Sequence, residues 1–260
     1  ISQGINPVDV KKAKSLPSVS FLDLADKYMN SKQMKASSKQ ELKRIVERHL
    51  KPFFKNTKVD QIDRDQIESL HHKLKKTPTQ ANRVLSYIRA IYNYGLKTQD
   101  IKDSTNPCNF IDRYKENKRE RFLTKGEIRS LLDLIDLRLK QKVENIFVVN
   151  AIKLLLFTGC RLNEIVTLEW KFIDFERSLI NFPDSKTGKK SILISPLAME
   201  VINSTPKVKD NPYVIVGKNE GSHLINLQKP WTRIRKELGL DDVRIHDLRH
   251  TFASIGAEAG

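Results

Sequence analysis

The 260 residues carry 47 Lys+Arg against 31 Asp+Glu, a formal charge of +16, and 39% of them are hydrophobic, enough to bury cores and to exclude a disordered polymer. The two cysteines, Cys108 and Cys160, stand far apart with no CxxC or Cys/His spacing, so neither a disulfide framework nor a zinc site is signalled, and an intracellular setting is expected. The excess positive charge calls for a polyanion: nucleic acid first, because phosphate neutralisation releases counterions, with an anionic membrane surface or a solubilising coat as the other readings.

The opening ISQGINPVDVKK is polar and turn-prone, without the apolar run of a signal peptide, and its start at Ile1 leads to the expectation that something lies upstream. After Pro17, Phe21, Leu24, Ala25 and Tyr28 share one helical face. Leu42, Ile45, Val46, His49 and Leu50 then repeat at i, i+3, i+4, while Lys43, Arg44, Glu47, Arg48 and Lys51 fill the wet side. Asp63 and Gln66 form a capping pair ahead of Ile67, Leu70 and Leu74. Pro78 suits the start of a further helix reaching about Lys97, with Val84, Leu85, Ile88, Ile91 and Tyr92 as its stripe and Arg83 and Arg89 outside it. Residues 17–100 therefore read as a small all-helical domain.

Residues 101–120 hold Asn106-Pro107 and the charged run YKENKRER with little apolar periodicity, so they read as a linker, with 1–16 as a tail and 121–260 as a second domain. A capping box from Thr124 to Glu127 opens a helix bearing Ile128, Leu131, Leu132 and Ile135. From Val143 to Trp170 the pattern is helix, break at Thr158-Gly159, helix. The most apolar run, Ile146 to Phe157, is interrupted by Asn150 and Lys153 and is shorter than the roughly 20 residues a membrane span needs. Strands are expected at Leu179–Phe182 and Ser191–Ile194 around the turn-forming DSKTGKK, and another at Tyr213–Val216. Helices are expected at Leu197–Ser204, Gln228–Leu238 and His246–Ala257. The fold class is mainly α with a small β-sheet.

The stretch LLLFTGCRLNEIVTLEW, the hairpin SKTGKKSILI and the segment HDLRHTFAS resemble, in sequence and order, the arginine box, the hairpin lysine and the H-x-x-R box of tyrosine-type site-specific recombinases, the phage and prophage integrases. Three motifs in this order are far more specific than any one of them. The resemblance implies a helical core-binding domain at 17–100, a catalytic domain at 121–260, and, from QGINPVDVKK, the end of a preceding arm-binding domain. It implies phosphoryl transfer without a metal or cofactor, double-stranded DNA at an attachment or recombination site as the partner, and a tetramer of the whole protein on DNA. It also implies a bacterial cytoplasmic, nucleoid-associated location.

Stabilising charge on a phosphate suits bidentate guanidinium groups, and the resemblance assigns this work to Arg161 and Arg249. Lys186, in the family's position before Thr-Gly, is then the general acid for the leaving 5′-oxygen or a simple phosphate contact, with Lys189 and Lys190 as DNA-backbone contacts. His246, at i to the i+3 of Arg249, can address the same phosphate or serve as a structural histidine, and His250 takes a supporting role. Glu164 orients Arg161 or Lys186 from behind, or forms a solvent-facing ion pair. Trp170 reads as packing. In the helical domain, Lys43, Arg44, Arg48, Lys51, Arg83 and Arg89 are the candidate DNA contacts.

The family's nucleophilic tyrosine follows the H-x-x-R box, whereas the six tyrosines here, at 28, 87, 92, 94, 114 and 213, all precede His246. The expectation is a catalytic domain incomplete at its carboxyl end, which binds DNA but forms no covalent intermediate in cis. The rival readings are a non-catalytic DNA-binding regulator with this fold and a type IB topoisomerase.

Overall fold

The computed structural model describes residues 19–31, 34–101, 105–117, 121–183 and 188–258, and the chain divides into two compact units, 1–118 and 119–260. In the first unit, α1 (Phe21–Ser31), α2 (Ala36–Ile45), α3 (Lys51–Phe54), α4 (Arg64–Lys73) and α5 (Pro78–Lys97) close around one core. Phe21 meets Phe54 at 4.9 Å and Tyr92 at 5.6 Å between ring centroids, and the buried Tyr92 hydroxyl donates to the Val59 carbonyl over 3.1 Å.

The expected amphipathic helix over 42–50 exists but is not uniform: Val46–Leu50 between α2 and α3 is π-helical. Pro52 supplies a reason, since it has no N–H to offer the Arg48 carbonyl and its ring crowds that turn. Leu42, Ile45, Val46 and Leu50 are buried all the same, because the apolar face decides which side turns inward. Asp63 caps α4 as expected: its carboxylate accepts from the Gln66 N–H at 2.8 Å, and the Gln66 side chain accepts from the Asp63 N–H at 3.2 Å.

The stretch read as a linker differs from that reading. Ile101, Cys108 and Ile111 are buried in the first core, and Tyr114 stacks on His71 with centroids 4.2 Å apart. The Asn82 side chain clamps the Tyr114 backbone at both its N–H (2.9 Å) and its carbonyl (2.8 Å). Asn106 likewise donates to the Arg89 carbonyl and the Asn93 side chain and accepts from the Cys108 N–H. An irregular segment held by side-chain amides has no period, so its burial leaves no periodic trace in the sequence.

In the second unit, α6 (Lys125–Lys140), α7 (Ile146–Thr158), α8 (Leu162–Val166), α9 (Pro196–Ser204), α10 (Gln228–Glu237) and α11 (Asp247–Glu258) accompany an antiparallel sheet β1-β2-β3. Helix α7 is buried nearly all round, from Val148 to Thr158, and even its Asn150 is matched, donating to the Thr205 hydroxyl at 2.8 Å. The sheet pairs β1 (Ile173–Asp174) with β2 (Leu179–Phe182), and β2 with β3 (Lys190–Leu193), placing Phe182 opposite Lys190. The strand expected at Tyr213–Val216 is not one: only isolated bridges form, Glu169 to Tyr213 and Val216 to His223. Val214 and Ile215 are fully buried, so the apolar run marks core rather than sheet. The helix expected from Val143 begins instead at Ile146, where the Asn145 side chain accepts from the Phe147 N–H. Among the described residues no helix is long and apolar enough to cross a membrane.

Two devices in these units carry measurable weight. Asp63→Ala removes the α4 cap and is expected to lower unfolding free energy in urea by about 1 kcal/mol. Ahead of α6, Arg121 bonds both oxygens of Glu127 on that helix and also Asp242, and the guanidinium holds the Glu127 carboxyl down at about 2. A depressed carboxyl contributes stability above its unfolded value, near 4.3, and loses it as pH falls through the folded value. Glu127→Gln, which keeps the capping geometry, is therefore expected to destabilise the protein at pH 7, the difference closing as pH is lowered towards about 2; urea titrations across that range measure it.

Candidate active site

Helix α7 ends at Gly159, whose φ of +60° caps it in the left-handed region. The Thr158 hydroxyl donates to the Leu154 carbonyl at 2.6 Å and accepts from the Cys160 N–H, fixing the exit of the chain. Two residues after the glycine, Arg161 is the N-cap of α8. A β-carbon at Gly159 would sit 2.9 Å from Cγ of Phe252 on α11, and closer still to the next ring atom, so the absent side chain is what lets that ring approach. From the same helix the Arg249 guanidinium donates to the Gly159 carbonyl. One tight turn thus locates both arginines.

Arg161 is anchored by Glu164, which accepts from its backbone N–H and its Nη1, each at 2.9 Å. Glu164 is only 8% exposed, which removes the reading of a solvent-facing pair. Its second oxygen also accepts from Lys190 Nζ at 2.7 Å. Burial alone would raise this carboxyl, but the hydrogen bonds from Lys190 and from the backbone and guanidinium of Arg161 outweigh it and hold the group below the usual range.

His246 immediately precedes α11, and its carbonyl accepts from the Arg249 N–H at 3.2 Å. Partial desolvation of its ring, then the charges of His250, Arg249 and Arg161, lower its pKa below the ordinary imidazole value. His250 meets it edge to face with centroids 5.8 Å apart, and both rings reach solvent. The buried Asp247 between them accepts from the Arg244 N–H at 2.8 Å and starts the helix. Thr251, fully buried, accepts from the Leu123 N–H and so ties α11 to the strand-like entry to α6.

Of the residues singled out in the sequence, Arg161, Glu164, His246 and Arg249 come together, and His250 adjoins them. Lys186 lies outside the described residues. Lys189 is exposed; Lys190, expected on the DNA, is instead engaged with Glu164 and lies 5.0 Å over the Phe182 ring. Trp170 packs against the core, its ring also covered by Lys207 at 4.8 Å. In the first unit Lys43, Arg44 and Arg48 are exposed, Lys51 pairs with Glu47 and Arg83 with Glu41, and Arg89 donates to the Cys108 carbonyl, a structural use that its place outside the apolar stripe did not reveal. Thr158, expected with Gly159 to form the turn that aims Arg161, does stand at that turn; the buried roles of Asn106 and Thr251 escaped the sequence, because each depends on a partner distant in the chain.

The Gly159 turn yields a paired expectation. Gly159→Ala, strained in φ and pressed against Phe252, is expected to cost about 2–4 kcal/mol of stability. Gly126→Ala on α6 has open space around it and is expected to be neutral or to gain about 0.5 kcal/mol; denaturant unfolding of the two variants makes the comparison.

Residues 121–260 match the phage integrase family, and residues 21–109 match the phage integrase central domain. The integrase of Salmonella phage P22 is 28% identical over 191 residues, covering 68% of this chain and 46% of that protein. The tyrosine recombinase XerA of Pyrococcus furiosus is 32% identical over 146 residues, covering 53% of this chain and 48% of that protein. The chain thus spans about half the length of these curated relatives. Among solved structures, the Tn1549 transposon integrase in complex with circular intermediate DNA superposes with a TM-score of 0.72 at 18% identity, over 94% of this chain and 88% of that one. A lambda integrase tetramer bound to a Holliday junction gives 0.74 at 15% identity, over 98% and 77%. The fold is that of these enzymes, and with more than half its length matched, the chain belongs to the phage integrase family of tyrosine-type recombinases.

Proposed function

We propose that this protein acts in site-specific DNA recombination, breaking and rejoining strands by transesterification through a 3′-phosphotyrosyl link. The observation that carries the reading is the gathering of Arg161 and Arg249 on the Gly159 turn, with His246 beside Arg249 at the start of α11. Each guanidinium commits one Nη1 to a protein acceptor and has further N–H donors in its fork. Two such forks suit the non-bridging oxygens of a phosphodiester, whose charge grows in the transition state. His246 adds a ring nitrogen able to donate or accept on the same phosphate. Lys186 supplies the proton for the departing 5′-oxygen.

In this reading the first unit is the core-binding domain, offering Lys43, Arg44 and Arg48 to the backbone of a double-stranded attachment or recombination site, and the second is the catalytic domain. The whole protein works as a tetramer on DNA, in the bacterial cytoplasm at the nucleoid. Several relatives carry matching descriptions: integrase, tyrosine recombinase, and, in the lambda structure, a tetramer on a Holliday junction. By the resemblance, the nucleophile is a tyrosine that follows the H-x-x-R box, a place none of the six tyrosines within these 260 residues occupies.

A suicide-substrate cleavage assay tests this, run on the 260-residue chain and on a version continued into the downstream codons of its gene. The expected result is a covalent protein–DNA adduct from the continued protein alone, lost by at least about a hundredfold with Arg161→Ala. Tight binding without adduct across a broad library of sites would overturn the recombinase reading in favour of a non-catalytic DNA-binding protein.

A further inference from the structure

Lys190 departs from what its position suggests. It lies on β3 at the base of the lysine-bearing hairpin, in a basic run that reads as a row of phosphate contacts. Its ammonium group nevertheless turns inward, donating to Glu164 Oε2 at 2.7 Å and lying 5.0 Å over the ring of Phe182, its own cross-strand partner. Its side chain is 24% exposed, against 8% for Glu164. The other oxygen of the same carboxylate holds the Arg161 guanidinium.

From this geometry we infer that Lys190 is a positioning residue: through Glu164 it locks the start of β3 to the N-terminus of α8, so that Arg161 and the β2–β3 ladder are set relative to one another. The inference rests on the recombinase reading for its consequence, and on this chain's own contacts for its mechanism. Arg161 alone already holds both oxygens of this buried carboxylate, its guanidinium at Oε1 and its backbone N–H at Oε2; Lys190 adds a second cation at Oε2, which favours the ionised state and is the contact that joins the carboxylate to β3. The depressed Glu164 carboxyl accords with this double hold. The ladder pins the Lys190 backbone opposite Phe182, so a displacement of the hairpin base pulls on Glu164 and then on Arg161. Lys189, one residue earlier and just outside β3, is exposed, and it is the phosphate contact in this reading.

The two roles separate by experiment. In DNA-free protein with 15N-labelled arginine, the Arg161 Nε–H resonance of wild type is expected to be ordered and to broaden or lose order in Lys190→Met and in Glu164→Gln; an unchanged resonance in Lys190→Met overturns the proposal whether or not the protein cleaves DNA. On DNA, Lys190→Met is expected to leave the slope of log K against log salt unchanged, while Lys189→Met lowers it by about one. A fall of about one in Lys190→Met would make Lys190 a phosphate contact and overturn the proposal. Where the continued protein cleaves, Lys190→Met is expected to slow single-turnover cleavage about 10–100-fold, Lys190→Arg to recover part of the loss, and the Glu164→Gln/Lys190→Met double variant to be no slower than the worse single variant. Additive losses overturn the shared-carboxylate mechanism, whereas a wild type that never cleaves counts against the recombinase reading alone.

Discussion

The close approach of α11 to the end of α7 at Gly159 is the constraint on which the candidate site depends. A left-handed residue without a side chain ends the buried helix, admits the Phe252 ring, and turns its carbonyl to Arg249. The same turn delivers Arg161 to the start of α8, where its backbone and guanidinium meet Glu164. Two arginines separated by 88 positions in the chain are thereby fixed by a single backbone feature. Any side chain at that glycine would meet the Phe252 ring and strain a left-handed backbone.

Rigidity behind the site comes from α7, which is buried nearly all round and cannot shift without disturbing most of the second core. Its polar Asn150 is paired with Thr205, and Lys153 at its half-buried edge reaches Asp136 at 2.6 Å on α6, so burial leaves neither group unsatisfied. The site side chains themselves stay near the surface, with His246 and His250 open to solvent. A polyanion can reach such groups without entering a cavity, in keeping with a chain of net charge +16.

Charge in this protein is divided between partners inside and outside the molecule. Arg89 is spent on the Cys108 carbonyl, Lys190 on Glu164, and Arg121 on Glu127 and Asp242, all of them structural uses. Lys43, Arg44, Arg48 and Lys189 face water. Composition counts these groups alike, yet only the second set is left exposed. Adjacent basic residues can therefore differ in environment: Lys189 is exposed, whereas Lys190 is engaged with Glu164.

The sequence by itself determined the elements that follow local rules. Caps at Asp63 and Thr124, the proline start of α5, the periodic faces of α1, α2, α5 and α6, and the β2–β3 hairpin depend on residues within a few positions of one another, and such signals survive in a linear reading. The motif order also announced the family and the group Arg161, Glu164, His246 and Arg249. What tertiary structure alone decided is non-local: the burial of Ile101, Cys108 and Ile111 in a segment without period, the core rather than strand role of Val214 and Ile215, the inward use of Arg89 and Lys190, and the partner that makes Gly159 necessary. Each of these turns on which distant atom arrives to accept a proton or fill a space. Spacing along the chain carries no record of that, because hydrogen bonds and close packing are satisfied in three dimensions, not in one.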